Sequence, residues 1–112
     1  MNLNDGYTVY VIEDFWKAAK ANIPRQYHEL IEEKLRYFKE NRYHPSLNTK
    51  PYSCSNRTKE RLKKQGVDDI CEFYVNGKKY RCVFYVLHTT KEIIVVYVGT
   101  HDQLRNKYSR GR

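Results

Sequence analysis

Six consecutive apolar residues, Ile93-Ile94-Val95-Val96-Tyr97-Val98, run into Gly99 and hand over to Thr100-His101-Asp102. A β-branched run of this length offers no polar face to water, so it reads as a central strand covered on both sides. Gly99 permits a sharp exit from that strand. The chain must therefore build a sheet with at least one fully buried strand, and it places a titratable pair where that strand stops.

The flanking segments supply the neighbours. Tyr80-Arg81-Cys82-Val83-Phe84 reads as the adjoining strand, spanning about Lys79 to Leu87, with an arginine in otherwise apolar company. Asn76-Gly77 is the strongest short hairpin signal available and joins it to a strand at about Ile70 to Val75. Thr89-Thr90-Lys91 turns into the last strand, Glu92 to Val98. At the other end of the chain, Tyr7 to Ile12 reads as a first strand. Glu13 and Asp14 favour a helix start there, with Phe15, Ala18 and Ala19 as the apolar face of a brief helix ending near Asn22. Pro24 breaks the pattern. Ile23, Tyr27, Leu30, Ile31, Lys34, Leu35 and Phe38 then recur at three- and four-residue spacings, a second amphipathic helix.

Beyond Asn41, residues His44 to Ser53 hold two prolines and several turn formers, which predicts an ordered loop with little regular structure. Arg57, Lys59, Arg61, Lys63 and Lys64 follow as a basic patch on a helical turn or two, closed by Gln65-Gly66. Asp102 to about Tyr108 forms a last helical turn or two. The β-α-α-β-β-β order predicts one α+β domain over residues 1–112. It has an N-terminal strand, an antiparallel helical hairpin packed on one face of a small, mainly antiparallel sheet, and a short C-terminal helical turn. The opposite face is left free as a groove for an extended polyanion or a peptide.

Charge bears on the partner. The formal net charge is +8. Residues 1–40 hold six Lys/Arg against seven Asp/Glu, whereas residues 41–112 hold fifteen against six, so the basic surface belongs to the C-terminal two-thirds. That balance points toward nucleic acid. Cys54, Cys71 and Cys82 are an odd number without CxxC spacing and read as reduced structural thiols in the cytoplasm. His28, His44, His88 and His101 lack zinc-ligand spacing, so neither a metal nor another cofactor is expected. The first residues lack the basic and apolar regions of a signal peptide, and no apolar run approaches a membrane span, so the expectation is a soluble protein.

Three groups of residues carry a resemblance. His44-Pro45-Ser46-Leu47 follows the second helix, Glu72-Phe73-Tyr74-Val75-Asn76 leads into Tyr80-Arg81 with Phe84 behind it, and Val98-Gly99-Thr100-His101-Asp102 closes the last strand. In that order they resemble the RelE/ParE superfamily of bacterial toxin-antitoxin toxins, over nearly the whole chain apart from an apparent insertion around residues 53–66. The resemblance implies a small α+β fold and, for the RelE-like branch, an endoribonuclease (mRNA interferase) that cleaves messenger RNA, commonly on the ribosome, until a cognate antitoxin covers it. It also implies site residues: Arg81 on its strand, His101 after the last strand, and His44 in the loop. Relatives with a His-Asp ending place a tyrosine about four positions after the histidine. This chain has Arg105 there, and Tyr108 stands three positions further on.

RNA can be cut without a metal because its own 2′-hydroxyl attacks the adjacent phosphate. The protein need only accept one proton, donate another and stabilise phosphate charge. Arg81 is suited to clamp the phosphate with its planar donors. An imidazole titrates near neutrality, so His101 can act as acid or base. His44 and Lys50 are candidates for the complementary proton role or for phosphate contact, and Tyr108 for the C-terminal aromatic. Arg57, Lys59, Arg61, Lys63, Lys64 and Arg105 are candidate RNA contacts, with Tyr52, Tyr74 and Tyr108 placed to stack on bases. Each has a plainer alternative. Arg81 can pair with Glu72 across the hairpin, and Thr100 to Gln103 reads as a capping box that makes His101 incidental. His44 can pack on the second helix, and the basic run can be a solvated face. At the level of the whole protein, the alternatives are a ParE-like gyrase inhibitor without nuclease chemistry and an inactive relative kept as a binding module.

Overall fold

The structure, a computed structural model, describes residues 4–109. Strand β1 (Thr8–Val11) is followed by helix α1 (Glu13–Asn22), a 3-10 turn (Arg25–Tyr27) and helix α2 (His28–Glu40). Pro24 sits in an extended conformation between the helices, where its missing N–H interrupts no helical bond. A second 3-10 turn (Pro45–Leu47) leads to a two-residue strand β2 (Lys50–Pro51) and helix α3 (Asn56–Lys64). Three long strands complete the sheet, β3 (Asp69–Val75), β4 (Tyr80–Leu87) and β5 (Glu92–Thr100). They run into helix α4 (His101–Leu104), which continues as a π-helical turn (Arg105–Ser109).

The sheet order is β1-β5-β4-β3-β2. Strand β1 pairs parallel with β5, setting Val9 beside Ile93 and Val11 beside Val95, and every other pairing is antiparallel. The apolar run of β5 therefore lies inside the sheet, between β1 and β4. A register shift between Val83 and Phe84 bends β4 against β5.

Helices α1 and α2 cover one face. Phe15, Ala18, Ala19, Ile31, Leu35 and Phe38 meet Phe73, Cys82, Phe84, Val86 and Val95 from the strands in one buried core. Phe38 is its keystone, with ring centroids 4.5 Å from Phe73 and 4.7 Å from Phe84.

The expectation of a free opposite face is wrong. Tyr52, Leu62, Val67, Leu104 and Tyr108 form a second core against Ile70, Val83 and Val96. The basic run is an ordered helix, α3, with Ser55 as N-cap accepting the Thr58 N–H at 3.2 Å. Its only buried side chains are Thr58 and Leu62. The Thr58 hydroxyl donates to the Tyr108 carbonyl at 2.8 Å, tying α3 to the C-terminal turn. Two corrections concern the loop and the helix start: Lys50–Pro51 is a short edge strand, and α2 begins at His28 because the residues after Pro24 take the tighter 3-10 turn. Among the described residues, no helix is long and apolar enough to cross a membrane.

Candidate functional site

The second core covers only part of its sheet face. Alternation along β3 and β4 puts Ile70 and Val83 under α3 and the C-terminal turn, and it puts Glu72, Tyr74 and Arg81 further along the same face. Lys50 on β2 lies directly opposite Glu72, and Arg81 lies opposite Gly99 on β5. Two residues beyond Gly99, His101 opens α4. The end of the sheet left by the second core is thus lined with charged groups.

Glu72 is the centre of this cluster. It is 3% exposed, yet it carries a carboxylate. Arg81 Nη1 donates to its Oε1 at 3.4 Å, and Lys50 Nζ stands 4.0 Å from its Oε2. Both contacts are long, so neither cation is locked onto the carboxylate. Burial pushes the Glu72 carboxyl above its usual value, and the charges of Arg81, Lys50 and His101 pull it back down. His101 follows Thr100, which pairs with Tyr80 beside Arg81, so the start of α4 lies at this end of the sheet. The ring of Tyr74 is flanked by the Arg81 guanidinium at 5.1 Å and the Lys50 ammonium at 5.3 Å. Contact with Tyr74 raises the Lys50 pKa, which keeps this lysine charged and suits it to phosphate contact rather than to accepting a proton. Arg81 Nε is buried without a hydrogen-bond partner. Such a donor costs free energy until an acceptor arrives.

His101 is presented by a built element. Thr100 accepts the Gln103 N–H at 3.3 Å while the Gln103 side chain accepts the Thr100 N–H at 2.8 Å, a complete capping box. Asn22, the last residue of α1, extends the network. Its amide donates to the Val98 carbonyl at 2.9 Å and the Tyr97 hydroxyl at 3.0 Å, and its oxygen accepts from Gln103 at 3.2 Å. Gly99 does not provide a left-handed turn. Its role is steric, because a Cβ there would lie 2.8 Å from Gln103 Oε1 and 3.1 Å from Gln103 Cβ.

Several expected site residues lie elsewhere. Tyr108 is fully buried in the second core, and burial pushes its hydroxyl far above the usual phenol range. It can neither stack on a base nor exchange protons with a substrate. Tyr52 is buried beside it, with ring centroids 5.9 Å apart. Tyr74 is in the site, but its ring is only 5% exposed and serves the two cations rather than a base. His44 stacks on Tyr37 of α2 at 4.4 Å, and its Nδ1 caps the following turn through the Ser46 N–H at 3.2 Å. It faces the helix, not the Glu72 cluster. Arg57, Lys59, Arg61, Lys63 and Lys64 are all exposed, as is Arg105. Lys59 and Lys63 turn toward a cleft beside β2. Sequence reasoning placed Glu72 only as a partner for Arg81 and gave Asn22 no role. The paired register of β2 and β3 reveals the first, and no local signal marks the second.

These features define a small α+β protein with a basic, carboxylate-centred site at one end of a mixed sheet. The same architecture occurs in the archaeal RelE–RelB complex from Pyrococcus horikoshii OT3. That structure matches with a TM-score of 0.56 and 14% identity, over 84% of this chain and 93% of that one. The chain therefore has a RelE-like fold. A metal-bound toxin from Helicobacter pylori matches with a TM-score of 0.49 and 15% identity, over 88% of this chain and 98% of that one. A conserved hypothetical protein from the same organism matches at 0.41 and 14%, with the same coverage. No protein-family model matches the sequence, and no curated protein matches it.

Proposed function

We propose that this protein is the toxin of a toxin-antitoxin pair and cleaves messenger RNA engaged by the ribosome. The observation that carries the reading is the convergence of Arg81 and Lys50 on one buried carboxylate, Glu72, at the end of the sheet where His101 opens α4. In the proposed step the 2′-oxygen attacks the adjacent phosphorus and the bond to the 5′-oxygen breaks. The products are a 2′,3′-cyclic phosphate and a 5′-hydroxyl end. Glu72 is buried beneath Arg81 and Lys50 at rest; in the proposed step it is uncovered as the two cations leave it, and its carboxylate, with a pKa raised by burial, accepts the 2′-hydroxyl proton. His101 delivers a proton to the departing 5′-oxygen. Arg81 and Lys50 move from the carboxylate to the phosphate, where the unpaired Nε of Arg81 gains an acceptor.

The test is to incubate purified protein with end-labelled messenger RNA, free and on ribosomes, and to map the new ends. Cleavage with 2′,3′-cyclic phosphate ends, lost in His101→Ala and Arg81→Ala, supports the proposal. One observation favours a second reading: the Arg81 side chain is only 17% exposed and already has a counter-ion in Glu72. On that reading Arg81 is structural and the protein acts by binding alone, as a gyrase inhibitor or an inactive relative would. Growth arrest with DNA damage and intact messages, undiminished by His101→Ala, would establish it.

The partner would be an acidic, amphipathic antitoxin segment laid over the basic end of the sheet. The RelE–RelB neighbour and the net charge of +8 support this. Binding of that kind weakens as salt rises.

A further inference from the structure

Strand β2 stops after two residues, and beside it lies a cleft of about 530 Å³ between the 42–52 loop, the start of β3 and α3. Its size is that of a small-ligand pocket. Tyr52, Val67 and Ile70 contribute an apolar floor. Lys50, Lys59 and Lys63 line one side. Asp68 and Asp69 also line the cleft; Asp68 accepts the His88 backbone N–H at 2.7 Å, and Asp69 stands 2.9 Å from His88 Nε2. With Arg42 the lining holds four cationic side chains against two carboxylates, so formal positive charge outweighs negative charge around this opening.

The feature that specifies the occupant is Tyr43. It lines the cleft and, at 61% exposure, is the most open of the exposed large aromatic side chains among the described residues. The ring is not loose. The guanidinium of Arg42 lies 4.7 Å from its centroid, and Arg42 is itself buried and held by Asn4, whose Oδ1 accepts its backbone N–H at 2.8 Å. A buried cation thus supports an aromatic plate that remains largely open. Single-stranded nucleic acid is bound by this combination of stacking platforms and basic grooves. Lys50 belongs both to the cleft and to the Glu72 cluster. Asp69 at the far side of the cleft is three residues from Glu72 along β3, about 10 Å at ~3.3 Å per residue.

We infer that this cleft is a nucleotide subsite of the same RNA path, in which a base flanking the scissile phosphate stacks on Tyr43 while Lys59 and Lys63 hold its backbone. The inference rests on the proposed RNA-cleaving function and deepens it by assigning a recognition element outside the reacting cluster.

The experiment measures binding of a short fluorescent oligoribonucleotide, and of the same backbone made abasic, to the full chain by anisotropy. The proteins are wild type, Tyr43→Ala, Lys59→Ala/Lys63→Ala and Arg81→Ala. Tyr43 is exposed, so its truncation leaves the fold intact. The expected result is that Tyr43→Ala weakens the normal oligonucleotide at least about five-fold, the lower end of a base–aromatic stack, and leaves the abasic one unchanged. The double lysine variant weakens both. If Arg81→Ala impairs binding while Tyr43→Ala and the double lysine variant bind as wild type does, the subsite is refuted and the RNA reading survives. If wild type binds no RNA, both fail. If Tyr43→Ala keeps its RNA affinity but loses a poly-glutamate peptide that wild type holds, the cleft takes an acidic peptide and the inference is overturned.

Discussion

Among single residues, the proposed chemistry depends on which charged groups share a low-dielectric corner. Burial raises the Glu72 carboxyl above its ordinary value of 4.5, even with Arg81 and Lys50 beside it. As a general base it works only when ionised, so the cleavage rate should rise with pH through that raised pKa. Glu72→Gln should remove this acidic limb from the rate profile, and an unchanged limb would assign it to another group. His101→Ala should lower the rate by roughly 10² to 10⁴, the usual contribution of a positioned proton donor. RNA affinity, measured by anisotropy on the same samples, should change far less. The placement of Arg81 and His101 at one end of the sheet was legible from the sequence because an arginine inside an apolar strand and a histidine at its neighbour's end are local anomalies. Tyr108 and His44 were misplaced for the opposite reason. Their side chains answer to tertiary partners, the second core and Tyr37, which spacing along the chain does not report.

At the scale of elements, position depends on how β5 ends. The capping box on Thr100 and the Asn22 bridge fix α4, and α4 carries His101. Gly99→Ala would push the new methyl against Gln103 and open the box. A Thr100→Ala change removes the cap, a loss of about 1 kcal/mol. Both variants should unfold at lower temperature, by circular dichroism, and cleave RNA more slowly than their loss of folded protein explains. The long strands and α1 could be read in advance because each has a continuous pattern of period two or near 3.6. Helix α3 was seen only as a basic patch on a turn or two, since its buried contribution is Thr58 and Leu62 alone, too sparse to reveal that it covers a sheet face. Strand β2 is two residues long and contains a proline, so nothing local distinguishes it from loop.

At the scale of the whole molecule, two cores share one sheet, and the charged site occupies the remnant that neither covers. The helical hairpin core should supply most of the stability. Phe38→Ala, which empties the space against Phe73 and Phe84, should lower unfolding free energy by about 3–5 kcal/mol in urea titrations. Alkaline pH should act through groups buried as neutral acids. Burial lifts the Cys71 thiol from 9.0 to about 11, so between those values the unfolded chain loses a proton that the folded chain keeps. Stability is then full below pH 9 and falls as pH rises toward 11. Thermal melts across that window should show the decline, and Cys71→Ala should reduce its slope.

In the proposed reaction one corner of the sheet cuts RNA by moving two protons around a phosphate. The direct measurement is the chemical nature of the RNA ends made by purified protein, compared with His101→Ala and Glu72→Gln at equal folded concentration. The wild type should leave 2′,3′-cyclic phosphate and 5′-hydroxyl ends, with both variants slowed by at least about a hundredfold. Intact RNA from a folded, growth-arresting wild-type protein would contradict it, as would cleavage that both variants sustain at the wild-type rate.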